Sequence, residues 1–476
     1  MKTGRSVGVN VFERQDRMEQ LRWLLDRGWL AAQMFRGDEL LPVVASIQAQ
    51  LVRPHAAFER GLRDEMVALV VVGAVWRDDI AEARRWARET HGAHKLSRFR
   101  STLRTAMRYV AWRLRDPCAF YALSTPRLGR LSEPAIAARI ANLAMEGAAE
   151  AEQLRFKAAE RLSKDALKLF AERGGVHGNT LLLPTCVLAT LAFESGSVDE
   201  ADVLIRGKIA DLERYGSMES TLWGFAVAGR VAVARGKINV VLLLLERGEG
   251  LGVRRRWPRL ATRCALDRIA LQLGLGAGAS AHRTLERAEQ WLGTLGPDVP
   301  HFPFDRWPLE LARCRVLLFD GYPDAAARLA RTWRDQAVQC NHPYVVVRFA
   351  LIVVGALFAM DDIEAAKREL LAALRQGAGT GLFRTFCDDA WMIEPCLRLV
   401  RREDRAALGR LTVFIDSVLD AGRSGGLSVR RRVPARGIAE PLTEGETVVL
   451  RLMSLGLSPP RRSISCATSP SIPAGC

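Results

Sequence analysis

Leu191-Ala-Phe-Glu-Ser-Gly196-Ser-Val-Asp-Glu-Ala201 is an apolar run, a glycine turn and the start of an alanine-bearing run. Glycine closes a helix in a left-handed conformation that other residues resist. The small alanines after it let a second helix pack closely on the first. The pattern recurs at Val233-Ala-Arg-Gly236-Lys-Ile238, at Leu317-Leu-Phe-Asp-Gly321-Tyr-Pro-Asp-Ala325 and at Leu357-Phe-Ala-Met-Asp361-Asp-Ile-Glu-Ala365. Gly196, Gly236 and Gly276 are spaced by 40 residues, as are Gly321 and Asp361. The step from Gly276 to Gly321 is 45 and contains a proline-rich stretch at 296–308. Extended backwards, the lattice places turns at Gly37, Arg77 and Pro117, with a weaker match near Lys157.

A single helical hairpin cannot bury both of its apolar faces, so such hairpins stack on one another around a continuous core. The expected fold class is therefore all-α, an α-solenoid of tetratricopeptide-like (TPR-like) hairpins with a period of about 40. That period exceeds the tetratricopeptide standard and touches the HEAT range. No stretch alternates apolar and polar residues between regular turn signals, so no sheet is expected. Of the 476 residues, 49% are hydrophobic and only 7% aromatic. Alanine, leucine, valine and arginine dominate, which favours helix and excludes general disorder.

The net charge is +16, from 69 Lys and Arg against 53 Asp and Glu, and almost all of the cations are arginine. GC-rich codons account for most of that bias. A basic surface also attracts phosphate backbones. The nine cysteines are scattered without a CxxC pair, as expected of buried thiols in a reducing cytosol. Residues 1–16 lack the apolar core of a signal peptide. The most apolar run, 349–360, has 12 residues, where a membrane span needs about 20, and reads as a buried helix. A cytoplasmic location with no membrane association is the expectation.

No enzyme active site is legible, and no cofactor is expected. Gly207-Lys208 and Gly236-Lys237 are followed by Ile and lack P-loop spacing. His91 and His94 have no further ligand nearby except Glu89. Gly422-Arg-Ser424-Gly-Gly426 fits GxSxG in letters only. A nucleophile elbow needs a strand before it, whereas a helix at 405–419 precedes this segment, which reads as a hinge. Gly274–Gly278 and Gly377–Gly381 read as inter-helix turns. Arg254-Arg255-Arg256-Trp257-Pro-Arg259 reads as a solvated turn, with a patch for an acidic partner as the alternative. Trp223, Trp257, Trp307 and Trp391 read as inter-repeat packing, with partner contact as the alternative.

After a Gly/Ser/Arg linker the chain reads Pro441-Leu442-Thr443-Glu-Gly-Glu446-Thr-Val-Val449-Leu450-Arg-Leu452-Met-Ser-Leu-Gly456-Leu457-Ser458. Thr443 and Glu446 form a capping box, Val449, Leu450 and Leu452 give an apolar face, and Gly456 ends the helix. This order resembles the opening of a LuxR-type helix-turn-helix domain. Leu442, Thr443, Glu446, Val449, Leu450, Gly456 and Ser458 match in register, while Gly445 and Val448 depart from the family pattern. Upstream, Gly381-Leu-Phe383-Arg384-Thr-Phe386-Cys-Asp388-Asp resembles the segment that closes the helical repeats of MalT-like large LuxR regulators. The family's ATPase P-loop is absent from this sequence. A recognition helix should follow Ser458, yet the 18 residues 459–476 hold four Pro, including Pro470 and Pro473, which no such helix accommodates. The reading is a chain frameshifted or truncated after Ser458, with a natural tail of unrelated purpose as the alternative.

The expected organisation is an N-terminal segment at 1–20, the solenoid at 21–400 and a closing helix at 401–421. A linker at 422–440, a first helix-turn-helix helix at 441–458 and an aberrant tail at 459–476 follow. The resemblance implies a transcriptional regulator whose solenoid senses an unidentified small-molecule inducer or self-associates. It also implies DNA as a partner, with Arg430, Arg431, Arg432 and Arg436 as candidate phosphate contacts. A protein–protein scaffold without a DNA role is the other reading.

Overall fold

The computed structural model describes residues 5–52, 60–89, 100–123, 133–173, 177–294, 303–402, 408–409 and 411–424. The Arg430–Arg436 arm, the capped helix at Thr443, the tail, and the His91–His94 pair lie outside them. Among the described residues there are helices and no strands. In chain order these are α1 (Arg5–Gln33), α2 (Gly37–Leu51), α3 (Arg60–Trp76), α4 (Ile80–Glu89), α5 (Arg100–Arg113), α6 (Pro117–Ala122), α7 (Glu133–Glu152) and α8 (Phe156–Arg173). Next come α9 (Leu182–Glu194), α10 (Val198–Ile205), α11 (Ile209–Tyr215), α12 (Met218–Ala234), α13 (Ile238–Arg255), α14 (Pro258–Gly274) and α15 (Gly278–Thr294). The last are α16 (Trp307–Phe319), α17 (Pro323–Gln339), α18 (Pro343–Ala359), α19 (Ile363–Thr380), α20 (Arg384–Asp388), α21 (Ala390–Arg402) and α22 (Leu411–Ser424). The chain is an α-solenoid, as its repeat pattern requires.

The two helices of a hairpin have different jobs, and their sequences differ accordingly. The first helix is enclosed on nearly all sides. In α18 every residue from Val347 to Leu357 is buried, so the apolar run read at 349–360 is a core helix. The second helix buries one stripe. In α17 only Ala326, Ala327, Ala330 and Ala337 are buried, and Ala326 and Ala327 meet Ala356 of α18. These small side chains let the backbones approach, while the arginines of α17 remain on the outer face. No helix of the described residues is long and apolar enough to cross a membrane.

Local chemistry sets the helix ends. Asp116, Ser217 and Asp362 accept hydrogen bonds from the backbone N–H groups of Ala119, Ser220 and Ala365, satisfying donors the first turn leaves free. Pro258, Pro323 and Pro343 open α14, α17 and α18, where an N–H would be unpaired anyway. At the turn glycines Gly196, Gly236, Gly276 and Gly321, φ lies between 68° and 96°, and Asp361 takes the same role at 65°. Upstream the lattice is shifted by one to three residues. The left-handed residues are Phe35, Asp78, Arg115 and Leu154 rather than Gly37, Arg77, Pro117 and Lys157. Without glycine to mark them, these turns are set by where the core ends.

Two further expectations change. Gly377 and Gly379 belong to α19, and only Gly381 takes the left-handed turn. Gly377 is needed inside the helix because the Phe386 ring occupies the space a side chain would fill. The helix placed at 405–419 is α22, running from Leu411 through Ser424, so Gly422 and Ser424 of the GxSxG letters lie in a helix end.

Exposed Arg256 sits in a left-handed turn at φ 55°. Relieving that Cβ clash makes Arg256→Gly stabilising by about 1 kcal/mol. An unchanged or lower urea midpoint for this variant would contradict the assignment.

Candidate functional site

The solenoid winds tightly enough to touch itself. Arg113 pairs with Asp305, Gln153 with the Asn341 carbonyl, and Glu194 with Thr385, at separations of 192, 188 and 191 residues. One superhelical turn therefore takes about 190 residues, between four and five hairpins. The first helices face the axis, and their polar side chains meet across it.

Three linked clusters fill this interior. In the first, Tyr109 donates to Asp78 at 2.6 Å and lies 3.2 Å from Glu219. Arg259 pairs with Glu219 and approaches Asp78 at 3.6 Å and Asp305 at 3.7 Å, while Arg113 donates to Asp305 at 2.7 Å. This cluster joins the α3–α4 turn, α5, α12, α14 and the short Pro303–Arg306 turn. Burial alone would lower the pKa of the Arg259 guanidinium. Glu219 and Asp78 outweigh it and hold the pKa well above its ordinary value, so Arg259 is a fixed cation.

The second cluster surrounds Glu152, which accepts from Arg115 at 2.5 Å and from the Trp112 indole at 3.2 Å. His342 Nε2 lies 3.6 Å from its other oxygen. Burial, reinforced by the Arg115 cation, lowers the His342 pKa despite Glu152. His342 is therefore neutral in the folded chain, while an unfolded chain binds a proton near pH 6.5. A depressed base of this kind contributes its full stability above the unfolded value and loses it as pH falls below that value. The urea midpoint should drop between pH 7.5 and 5.5, and His342→Gln should flatten part of that slope. Equal slopes in both proteins would show that His342 is not held neutral.

The third cluster is centred on Glu194, which is 1% exposed. Its carboxylate accepts from Arg230 at 2.5 Å, from the Thr385 amide and hydroxyl at 3.1 and 3.0 Å, and from Tyr344 at 3.1 Å. Its carbonyl accepts from the Phe383 N–H at 2.9 Å. Arg230 continues to Asp388 at 2.7 Å. The closing segment at 381–389 is thus tied to α9, one superhelical turn earlier. Phe383 and Phe386 pack edge-on against Phe414 of α22, at 6.0 and 5.5 Å.

Between the clusters lie two cavities of about 150 and 140 Å³. Arg230, Tyr344 and Arg348 line both. Trp223, Leu222, Trp307 and Leu311 give the larger one an apolar wall, and Thr385, Asp388, Asp389 and Trp391 face the smaller one.

The sequence reading missed most of this site. Of the arginine-rich run, Arg254 and Arg256 are exposed as expected of a solvated turn. Arg255, however, donates to the Glu213 carbonyl at 2.8 Å, Trp257 is 3% exposed, and Arg259 belongs to the interior cluster. The superhelix brings residue 259 onto the axis, a placement that composition does not report. Trp257 and Trp307 are buried in packing, while Trp223 and Trp391 are half-buried at cavity walls. A usable signal was present: Arg230 and Arg348 interrupt apolar stretches of α12 and α18. Cys186, Cys264, Cys314 and Cys396 are buried thiols, and burial pushes Cys186 and Cys314 up to about 12.

A superhelix of helical hairpins with a polar, partly hollow axis defines a helical-repeat protein. The chain belongs to the family described as the MalT-like TPR region, which matches it over residues 128–402, more than half its length. The earlier helices α1–α6 precede that span. No curated protein matches the chain.

Proposed function

We propose that this chain is a transcriptional regulator of the LuxR type. Its superhelix serves as sensor and self-association region, and its C-terminal DNA-binding module carries prolines where the family places its recognition helix. The observation that carries the reading is the MalT-like repeat region at 128–402, followed in the sequence by Leu442, Thr443, Glu446, Val449 and Leu450 in LuxR-type register. The proposed route from sensor to DNA-binding module runs from Thr385 through Phe386 to Phe414 of α22. This region is not an enzyme in the proposed reading and acts by binding alone. Neutralising Arg430, Arg431 and Arg432 tests the phosphate-contact part of the reading. Non-specific duplex binding should weaken, and its salt slope should fall. Unchanged binding would refute the assignment of those arginines.

The alternative is a protein-interaction scaffold without a DNA role. It is favoured by Val240 and Leu243, one helical turn apart on α13 and 55% and 60% exposed. A pull-down with Val240→Lys/Leu243→Lys separates the readings. Loss of a partner without any change in DNA retention would favour the scaffold.

A further inference from the structure

Arg348 differs from the other arginines of the axis. Arg113, Arg115, Arg230, Arg259, Arg263, Arg315 and Arg384 each have an acidic partner within 4 Å. Arg348 is 8% exposed and, among the described residues, has neither an acidic partner nor a hydrogen bond. It forms the shared wall of the two cavities with Arg230 and Tyr344. Burial, then the nearby Arg315 cation, pushes its pKa below the ordinary arginine value. Among the described residues, no acid lies within 4 Å of this little-exposed guanidinium, which opens on the cavities instead, and Arg348 lies in the second turn of the apolar helix α18.

We propose that Arg348 is the anchor of a binding site for a small organic carboxylate whose apolar body lies along Trp223, Leu222 and Trp307. A single unpaired guanidinium matches a single negative charge, and its planar fork fits two carboxylate oxygens. A phosphate dianion would leave a charge unmatched, because Arg230 is already satisfied by Glu194 and Asp388. The larger cavity has the size of one known to hold benzene, so the body is about one ring. The ligand would lie in the larger cavity with its carboxylate on Arg348, which is also part of the smaller cavity that Thr385 and Asp389 of the closing segment face. Its role as inducer rests on the regulatory reading above. Its binding does not, so a failed DNA assay leaves the site standing.

Calorimetric titration of the full chain, without DNA, tests the site with benzoate, benzamide and inorganic phosphate. Benzoate should bind the unaltered chain, and benzamide and phosphate should not. Arg348→Gln should weaken benzoate roughly 10- to 100-fold, the loss of one charge-assisted contact, and Arg348→Lys should fall between the two. In ligand-free protein, Arg348→Met should raise the melting temperature by roughly 2–4 °C, because it removes an unpaired buried cation. Benzoate failing to bind up to millimolar concentration, binding equally to Arg348→Gln, or binding no better than benzamide would overturn the proposal. So would a lower melting temperature for Arg348→Met, which would make Arg348 a structural cation.

Discussion

Glu194→Ala is expected to lower the unfolding free energy by about 3–5 kcal/mol, the effect of removing one partner from a buried ionic network. The carboxylate is 1% exposed and holds Arg230, Thr385 and Tyr344 together. Without it, the Arg230 cation keeps Asp388 as its acidic partner, and the Thr385 amide loses its acceptor. The loss should appear in urea unfolding followed by circular dichroism, and faster hydrogen exchange should be localised at the Thr385 amide. The double variant Glu194→Ala/Arg230→Ala should lose less than the sum of the single changes, because each single variant strands the other charge. A loss below 1 kcal/mol with additive singles would mean that the closing segment is not fastened to α9 in solution.

Arg259→Ala should have an effect of similar size, about 3–5 kcal/mol, for a different reason. Arg259 faces Glu219, Asp78 and Asp305, and only Arg113 would remain to offset three carboxylates. An Arg259→Ala deficit below about 1 kcal/mol in urea unfolding would contradict this charge balance. Arg259→Lys should recover only part of the loss, since an ammonium cannot span acids on three elements.

The fold was legible because its signals are local. Gly196, Gly236, Gly276 and Gly321 mark turns with a residue that tolerates positive φ, and the alanines of α17 mark a tightly packed second helix. Where the turn residue is Phe35, Arg115 or Leu154, the period still holds but its phase drifts, since tertiary packing imposes the left-handed geometry. Gly377 was misread as a turn because glycine also serves where a ring crosses a helix, here Phe386.

The interior site was not legible as a site. Its members come from helices 110 to 192 residues apart, and the superhelical pitch that brings Glu194 to Thr385 is a sum of small rotations between hairpins. The pitch sets which hairpins meet across the axis, and no short motif encodes it. Each charge on an apolar helix was visible singly, as Arg348 within Val345-Val-Val-Arg-Phe shows. Which of them found partners was not.

The regulatory reading turns on how the chain handles DNA. The most direct test is a gel shift of the full chain with its own upstream region and an unrelated duplex of equal length, over a series of salt concentrations. With Pro459, Pro460, Pro470 and Pro473 where the proposed reading expects a recognition helix, and with arginines at 430, 431, 432 and 436, both duplexes should be retained equally at low salt and released together as salt rises. Selective retention of the upstream region would contradict this reading of the proline-bearing segment. Retention of neither duplex at low salt would contradict the DNA role itself and leave the scaffold reading in its place.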